Sequence, residues 1–70
     1  MATEEVLNGE HLSFEDDAED GYRYLRKLSR DEADVFFYYA KNRADAYFRD
    51  DRNHQFSLSY SGGVFTISTY

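Results

Sequence analysis

The residues best suited to chemistry are carboxylates clustered between positions 15 and 20. Five of these six positions are acidic, namely Glu15, Asp16, Asp17, Glu19 and Asp20. Acid–base catalysis would require burial or close pairing, so that the pKa of one carboxyl group moves away from that of its neighbour. At the start of a helix, solvated acidic residues are instead stabilised by the helix dipole. The cluster therefore indicates an acidic surface and not a catalytic pair.

The two histidines, His11 and His54, are the other candidates for proton transfer or metal binding. His54 follows Asp50 by four residues, a spacing that would let both side chains contact one ion. Two ligands do not complete a zinc site, and the chain contains no cysteine. The alternating ligands of a calcium loop are absent, and no serine lies in a G-x-S-x-G motif. We therefore expect no metal, no cofactor, no catalytic residue and no enzyme activity.

A single basic patch follows the acidic cluster. It combines four basic residues with two tyrosines: Arg23, Arg26, Lys27, Arg30, Tyr22 and Tyr24. Basic stripes with aromatic side chains can bind phosphates and stack on bases. This patch is small and directly follows the acidic segment, so it is better explained as the solvated face of a helix. We expect no direct binding of nucleic acid.

The net charge of −6 is distributed unevenly along the chain. Residues 1–20 carry eight carboxylates and no Lys or Arg, whereas residues 55–70 carry no charged side chain. An acidic domain is repelled by nucleic acid and attracted to basic surfaces. The expected partner is therefore a protein with a basic surface, such as one that itself binds nucleic acid.

No segment has the pattern of a membrane span or a secretion signal. The chain lacks an apolar run near the roughly 20 residues that a spanning helix needs. Its start, MATEEVLNGE, has neither the basic residues nor the apolar region of a signal peptide. We expect a cytoplasmic protein that does not bind membranes.

One small domain must position these residues, and its central element is predicted at residues 30–52. This stretch has the spacing of an amphipathic helix, and a capping box, Ser29-Arg30-Asp31-Glu32, marks its start. Asp45 and Arg49 are expected to form an ion pair one turn apart on its polar face. Its main apolar stripe, which should pack on the C-terminal residues, comprises Ala33, Phe36, Phe37, Ala40, Ala44, Tyr47 and Phe48.

A shorter helix is predicted over residues 14–28. Its acidic residues lie in the first turns and its basic residues in the last, as the helix dipole favours. The long helix carries a second apolar stripe, which should pack on this shorter helix. That stripe comprises Val35, Tyr39 and Ala46.

The clearest element is an antiparallel β-hairpin over residues 55–70. Two segments with alternating apolar residues flank Gly62-Gly63, which supplies the positive φ angles of a two-residue turn. Counting outward from the turn places Leu58 opposite Ile67. One face of the hairpin is then apolar and the other carries hydroxyl groups.

Neither strand of this hairpin carries a Lys, Pro or charge that would protect its edge from pairing. An isolated hairpin is also marginally stable, so we expect its edges to be covered. The candidates are a third strand from residues 10–14, the same strand of a second copy, or a partner protein. Residues 1–10 have weak patterning and are expected to be loose.

The predicted fold class is α+β, in which two antiparallel helices pack on the C-terminal antiparallel hairpin, with or without a third short N-terminal strand. We expect a small, acidic, non-catalytic protein that binds and modulates or inhibits another protein. Small phage-encoded inhibitors, including anti-CRISPR proteins, are similar in general type, because they are short, acidic and cysteine-poor. The alternative is a homodimeric regulatory or structural module joined through hairpin edges or exposed aromatic residues.

The candidate partner-binding residues combine the acidic positions with one tyrosine. Tyr38 falls on the polar side of the long helix, and tyrosines in such positions are enriched at protein interfaces. The full predicted set is Glu15, Asp16, Asp17, Glu19, Asp20, Asp31, Asp34, Tyr38 and Asp45.

Overall fold

The computed structural model describes residues 2–70 and has an α+β fold, with two helices and a five-stranded mixed sheet. In chain order the elements are β1 (Thr3–Leu7), β2 (Glu10–Phe14), a 3₁₀ turn (Asp16–Ala18), α1 (Glu19–Lys27), α2 (Arg30–Asn42), β3 (Ala46–Arg49), β4 (Gln55–Ser61) and β5 (Val64–Thr69). The strand order is β1-β2-β5-β4-β3, and neighbours are antiparallel except for the parallel pair β2–β5. Within residues 2–70, no helix has the length and apolarity needed to cross a membrane.

The C-terminal hairpin of β4 and β5 forms in the predicted register. Leu58 lies opposite Ile67, and the pairing continues outward from the turn without a bulge. Gly62 and Gly63 both have positive φ angles, 59° and 84°, as a two-residue hairpin turn requires. The separation of an apolar face from a hydroxyl face therefore specified the pairing correctly.

Both edges of this hairpin are occupied within the chain. Residues 10–14 form β2 and pair with β5, so this edge is covered by the first of the three candidates, a third strand from the same chain. The other edge pairs with β3, which the sequence prediction did not include. The outer strands of the sheet are therefore β1 and β3, and not the strands of this hairpin.

The N-terminal residues are ordered into a strand, so the expectation that residues 1–10 are loose is wrong from Thr3 onward. β1 pairs antiparallel with β2, and Asn8 and Gly9 form the turn between them with φ angles of 54° and 80°. The left-handed backbone region suits Asn and Gly better than other residues. This hairpin makes β1 one of the two outer strands of the sheet.

The predicted helix over residues 30–52 is correct only as far as Asn42. Its capping box is present, with Ser29 Oγ accepting from the backbone N–H of Glu32 at 3.3 Å. Beyond the helix, the strand β3 buries the side chains of Ala46 and Phe48. The alternate side chains, those of Tyr47 and Arg49, are exposed. The expected helical ion pair between Asp45 and Arg49 is therefore wrong, because Arg49 ends the extended strand β3 and Asp45 precedes it, so the two are not one helical turn apart.

The first helix is shorter than the predicted range of residues 14–28. Phe14 ends β2, the 3₁₀ turn follows, and α1 begins at Glu19. The 3₁₀ turn closes with a bond from the Ala18 backbone N–H to the Glu15 carbonyl oxygen at 2.9 Å. The acidic residues therefore lie partly in a turn that links the sheet to α1.

The core lies between the two helices and one face of the sheet. Its largest fully buried side chains are Leu12, Leu25, Phe56, Leu58, Phe65 and Ile67. Burying one such side chain stabilises the fold by about 1.5–3 kcal/mol. The opposite face of the sheet carries the hydroxyl residues that alternate with this core.

Two apolar assignments made from the sequence are wrong. Val35 and Tyr39, predicted to pack on the first helix, are 67% and 44% exposed. Tyr47, assigned to the hairpin core, lies on the outer face of β3, where its ring contacts that of Tyr70 at 4.8 Å between centroids. These side chains are therefore part of the molecular surface.

Candidate functional site

A hollow of about 210 Å³ opens where the parallel strands β2 and β5 end. Because the two strands run in the same direction, the residues that follow β2 meet the last residues of β5 there. Six of its nine lining residues carry a hydroxyl or carboxylate group, and none of its lining residues within 2–70 is a Lys or Arg. The polar lining residues are Ser13, Glu15, Asp17, Thr66, Ser68 and Thr69. We call this the acidic hollow.

The carboxylate of Asp17 is held at the acidic hollow from two directions. The 3₁₀ turn fixes its backbone, and Thr69 Oγ1 donates a hydrogen bond to Asp17 Oδ2 at 3.4 Å. Asp16 and Asp17 are both exposed. These carboxylates can therefore meet a positively charged group without a change in the fold.

Glu19 and Asp20, the last two members of the predicted acidic cluster, contact residues outside the acidic hollow. Glu19 pairs with Arg23 one turn later on α1, with 2.6 Å between Oε2 and Nη2. An exposed pair of this kind stabilises a helix only slightly. Asp20 lies beside Asp50 and His54. Only Glu15 and Asp17 of the predicted cluster therefore line the acidic hollow.

Asp20, Asp50 and His54 form a separate polar group, in which one ligand atom from each lies within 4.8 Å of the others. The Asp50 side chain is only 7% exposed. Its Oδ1 accepts hydrogen bonds from the backbone N–H groups of Arg52 at 2.9 Å and His54 at 2.8 Å. His54 Nδ1 lies 3.3 Å from Asp50 Oδ2.

These contacts determine the direction in which the pKa of Asp50 is shifted. Burial alone raises the pKa of its carboxyl group, since it disfavours the charged form. The hydrogen bonds from the backbone of His54 and Arg52, together with the charge of His54, outweigh burial and leave the pKa below its usual value. The ionised carboxylate therefore organises the turn between β3 and β4.

Asp34 and Tyr38 lie together on the side of α2 that meets the β1–β2 turn. Asn8 Nδ2 donates to Asp34 Oδ1 at 3.0 Å and to the backbone oxygen of Arg30 at 3.1 Å. Tyr38 is 67% exposed and lines an open hollow of about 440 Å³ with Asp34. Asp31 is exposed in the first turn of α2.

An apolar groove of about 460 Å³ lies between α2 and the outer strand β3. α2 contributes Val35 and Tyr39, and β3 contributes Tyr47, which is 59% exposed. Asp45, the residue that precedes β3, also lines it. We call this the β3-edge groove.

The predicted partner-binding residues therefore occupy separate surfaces and not one site. Sequence reasoning missed the exposed side chains of Val35, Tyr39 and Tyr47, because it assigned all three to the core. The signal for Tyr47 was available in Ala-Tyr-Phe-Arg, whose alternation has the period of a strand.

A comparison of the chain with protein-family models, curated proteins and solved structures found no match. The function is therefore argued from the geometry and charge of these surfaces.

Proposed function

We propose that this protein binds a basic surface of another protein and thereby modulates or inhibits it, without catalysing a reaction. The observation that supports this is the acidic hollow, where exposed carboxylates are grouped with hydroxyls and no basic residue among 2–70 lines the cavity. The proposal rests on Asp17, which lines the acidic hollow, and on Asp16, which is exposed next to it in the 3₁₀ turn.

The chemistry of the acidic hollow suits a Lys or Arg side chain. The ammonium or guanidinium group would lie beside Asp17, and its remaining N–H donors would face hydroxyl oxygens such as those of Thr66 and Ser68. Charge-assisted hydrogen bonds are shorter and stronger than neutral ones. Charges at the rim of an interface also accelerate encounter with an oppositely charged partner.

The net charge of −6 favours a partner whose own surface is strongly basic. Proteins that bind nucleic acid carry such surfaces, because they contact phosphates through Lys and Arg. Occupying that surface would compete with nucleic acid directly. This is the mode of action expected of a phage-type inhibitor, a class that includes anti-CRISPR proteins.

Charge reversal tests the proposal. The variant Asp16→Lys with Asp17→Lys should lose capture of basic proteins from a nuclease-treated cell lysate, measured by affinity purification and mass spectrometry. The matched control, Glu5→Lys with Asp51→Lys, reverses two other exposed residues that lie outside the predicted partner-binding set, and it changes the net charge equally. Equal loss in both variants would indicate a non-specific charge effect, and unchanged capture in the first would refute an acidic-hollow mechanism.

A further inference from the structure

We propose that β3 pairs antiparallel with β3 of a second copy of this chain, so that two sheets join into one and the β3-edge grooves of both copies are covered. The twofold axis passes through Tyr47. This interface is separate from the acidic hollow and does not depend on the function proposed above.

The two outer strands of the sheet differ in how they are protected. β1 carries consecutive acidic residues, Glu4 and Glu5, near its centre. Charged residues on an outer strand oppose pairing with another chain. β3 carries only Arg49, at its last position, and its other residues are Ala46, Tyr47 and Phe48. The unprotected edge is therefore that of β3.

The hydrogen bonds of the sheet show which backbone groups of β3 remain available. Asp50 N–H donates to the His54 carbonyl oxygen at 3.1 Å, so this opposite pair is of the hydrogen-bonded type. Such pairs alternate along an antiparallel ladder. Phe48 therefore bonds towards β4, while the N–H and C=O groups of Tyr47 and Arg49 point to the open edge.

Only registers that bring these outward groups together can form an antiparallel ladder. With the twofold axis at Tyr47, each Tyr47 exchanges both backbone hydrogen bonds with Tyr47 of the second copy. Asp45 then lies directly opposite Arg49 of the second copy, and the same pair repeats across the axis. If the twofold axis passed through Phe48 or Ala46 instead, Asp45 would no longer lie opposite Arg49 of the second copy.

The charges select the register centred on Tyr47. Asp45 and Arg49 lie at equal distances along the chain on either side of Tyr47, so antiparallel self-pairing joins opposite charges twice. Arg49 now donates one hydrogen bond to Asn53 Oδ1 at 3.2 Å. A guanidinium group has five N–H donors, so Arg49 can also bind the carboxylate of the second Asp45. Opposite charges that face each other across strands stabilise pairing.

The apolar contacts of the groove follow from the same symmetry. Ala46 would lie opposite Phe48 of the second copy on the face that carries the helices. α2 of each copy would then meet its counterpart across the axis, which places the exposed Val35 and Tyr39 against apolar partners. A different protein would need its own matching charges and apolar side chains to cover this edge, whereas a second copy of the chain provides both by symmetry.

A charge-swap experiment tests the interface by sedimentation velocity of the full chain over a range of concentrations. The wild-type protein should form a concentration-dependent dimer. Asp45→Arg alone places two Arg residues opposite each other, and Arg49→Asp alone places two Asp residues there. Each single variant should weaken the dimer at least about tenfold, because facing like charges are unfavourable. The double variant Asp45→Arg with Arg49→Asp should restore it, because the opposite charges again face each other.

Several outcomes would overturn the proposal. A wild-type protein that stays monomeric at near-millimolar concentration excludes the dimer. A dimer that both single variants retain lies elsewhere on the surface, and a double variant that dissociates like the single ones excludes this register. Circular dichroism shows whether each variant is folded, and Val35→Lys provides a second disruption outside the strand. The pair Asp16→Lys and Asp17→Lys should leave the dimer intact, which separates this test from that of the acidic hollow.

Discussion

The backbone of Gly21 in α1 packs directly against the ring of Phe56 in β4. A Cβ atom at Gly21 would lie 2.9 Å from two ring carbons of Phe56 and 3.1 Å from a methyl carbon of Ile67. Both neighbours are only 1% exposed, so neither can move away without disturbing the core. Close approach of the helix to the sheet therefore requires glycine here, even though glycine costs up to about 1 kcal/mol in a helix.

We predict that Gly21→Ala lowers the free energy of unfolding by up to about 2 kcal/mol. Overpacking a core costs roughly 1–3 kcal/mol, and the better helix propensity of alanine offsets about 1 kcal/mol of that cost. Urea unfolding followed by circular dichroism measures the change. In a Phe56→Leu background the same substitution should cost less, since the ring is gone, and an equal cost in both backgrounds would contradict this packing.

Asn8 connects the β1–β2 turn to α2 and adopts a positive φ angle of 54°. We predict that Asn8→Gly loses the hydrogen bonds to Arg30 and Asp34 but keeps the turn, at a cost of about 1 kcal/mol. Asn8→Ala should be less stable than Asn8→Gly by roughly another 1 kcal/mol, because a Cβ disfavours the left-handed region. Thermal unfolding of the two variants gives the comparison. Equal stability would show that the backbone of this turn is not constrained.

The C-terminal hairpin could be predicted residue by residue because local signals agreed with each other. Gly62-Gly63 fixed the turn, and the alternation on both sides fixed which face is buried. The start of α2 was predictable for the same reason, since Ser29 and Glu32 form a capping box within a single turn. Local patterns are sufficient where a turn or cap determines the geometry by itself.

β3 could not be predicted in this way. The run Ala44-Asp45-Ala46-Tyr47-Phe48 fits a helical stripe as well as a strand, and neither Gly nor Pro marks the end of α2. The deciding interaction is the edge of β4, against which Ala46 and Phe48 are buried to 4% and 7% exposure. A non-local pairing therefore overrides the local helical pattern.

The candidate surfaces, too, depend on pairings between strands that are distant in sequence and that local patterns do not predict. The charge run identified Asp16 and Asp17 as exposed, but the contact of Asp17 with Thr69 depends on the parallel pairing of β2 with β5. No local pattern reports a pairing between residues more than 50 positions apart in sequence. Asp45 and Arg49 were recognised as a complementary pair, but Arg49 is exposed at the end of β3 and Asp45 precedes this strand.

Asp50 makes the stability of the fold depend on pH. Its pKa is lower in the folded protein than its usual value, so the ionised carboxylate stabilises the fold above the ordinary aspartate pKa of about 3.9. This contribution is lost as the pH falls through the folded pKa, where the carboxyl group becomes protonated. We predict that Asp50→Asn is less stable than the wild-type protein at neutral pH.

The stability difference between Asp50→Asn and the wild-type protein should shrink as the pH is lowered below about 4. Asparagine keeps an oxygen that can accept from the backbone N–H groups of Arg52 and His54, but it carries no charge. Urea unfolding at a series of pH values measures the difference, and Asp51→Asn is the control, because Asp51 is exposed and makes its ion pair with Lys27 at the surface. A difference that stays constant with pH would contradict the assignment of the charge effect to Asp50.

The group formed by Asp20, Asp50 and His54 is expected to act as a hydrogen-bond network and not as a zinc site. A structural zinc ion is held by four protein ligands, whereas this group consists of three side chains that each offer one ligand atom. Asp50 Oδ1 also already accepts two backbone hydrogen bonds that a metal would have to displace. We predict that Zn²⁺ leaves the melting temperature unchanged in both the wild-type protein and His54→Ala. A zinc-dependent rise in the wild-type protein that His54→Ala abolishes would establish a metal site there, because it would require the imidazole as a ligand.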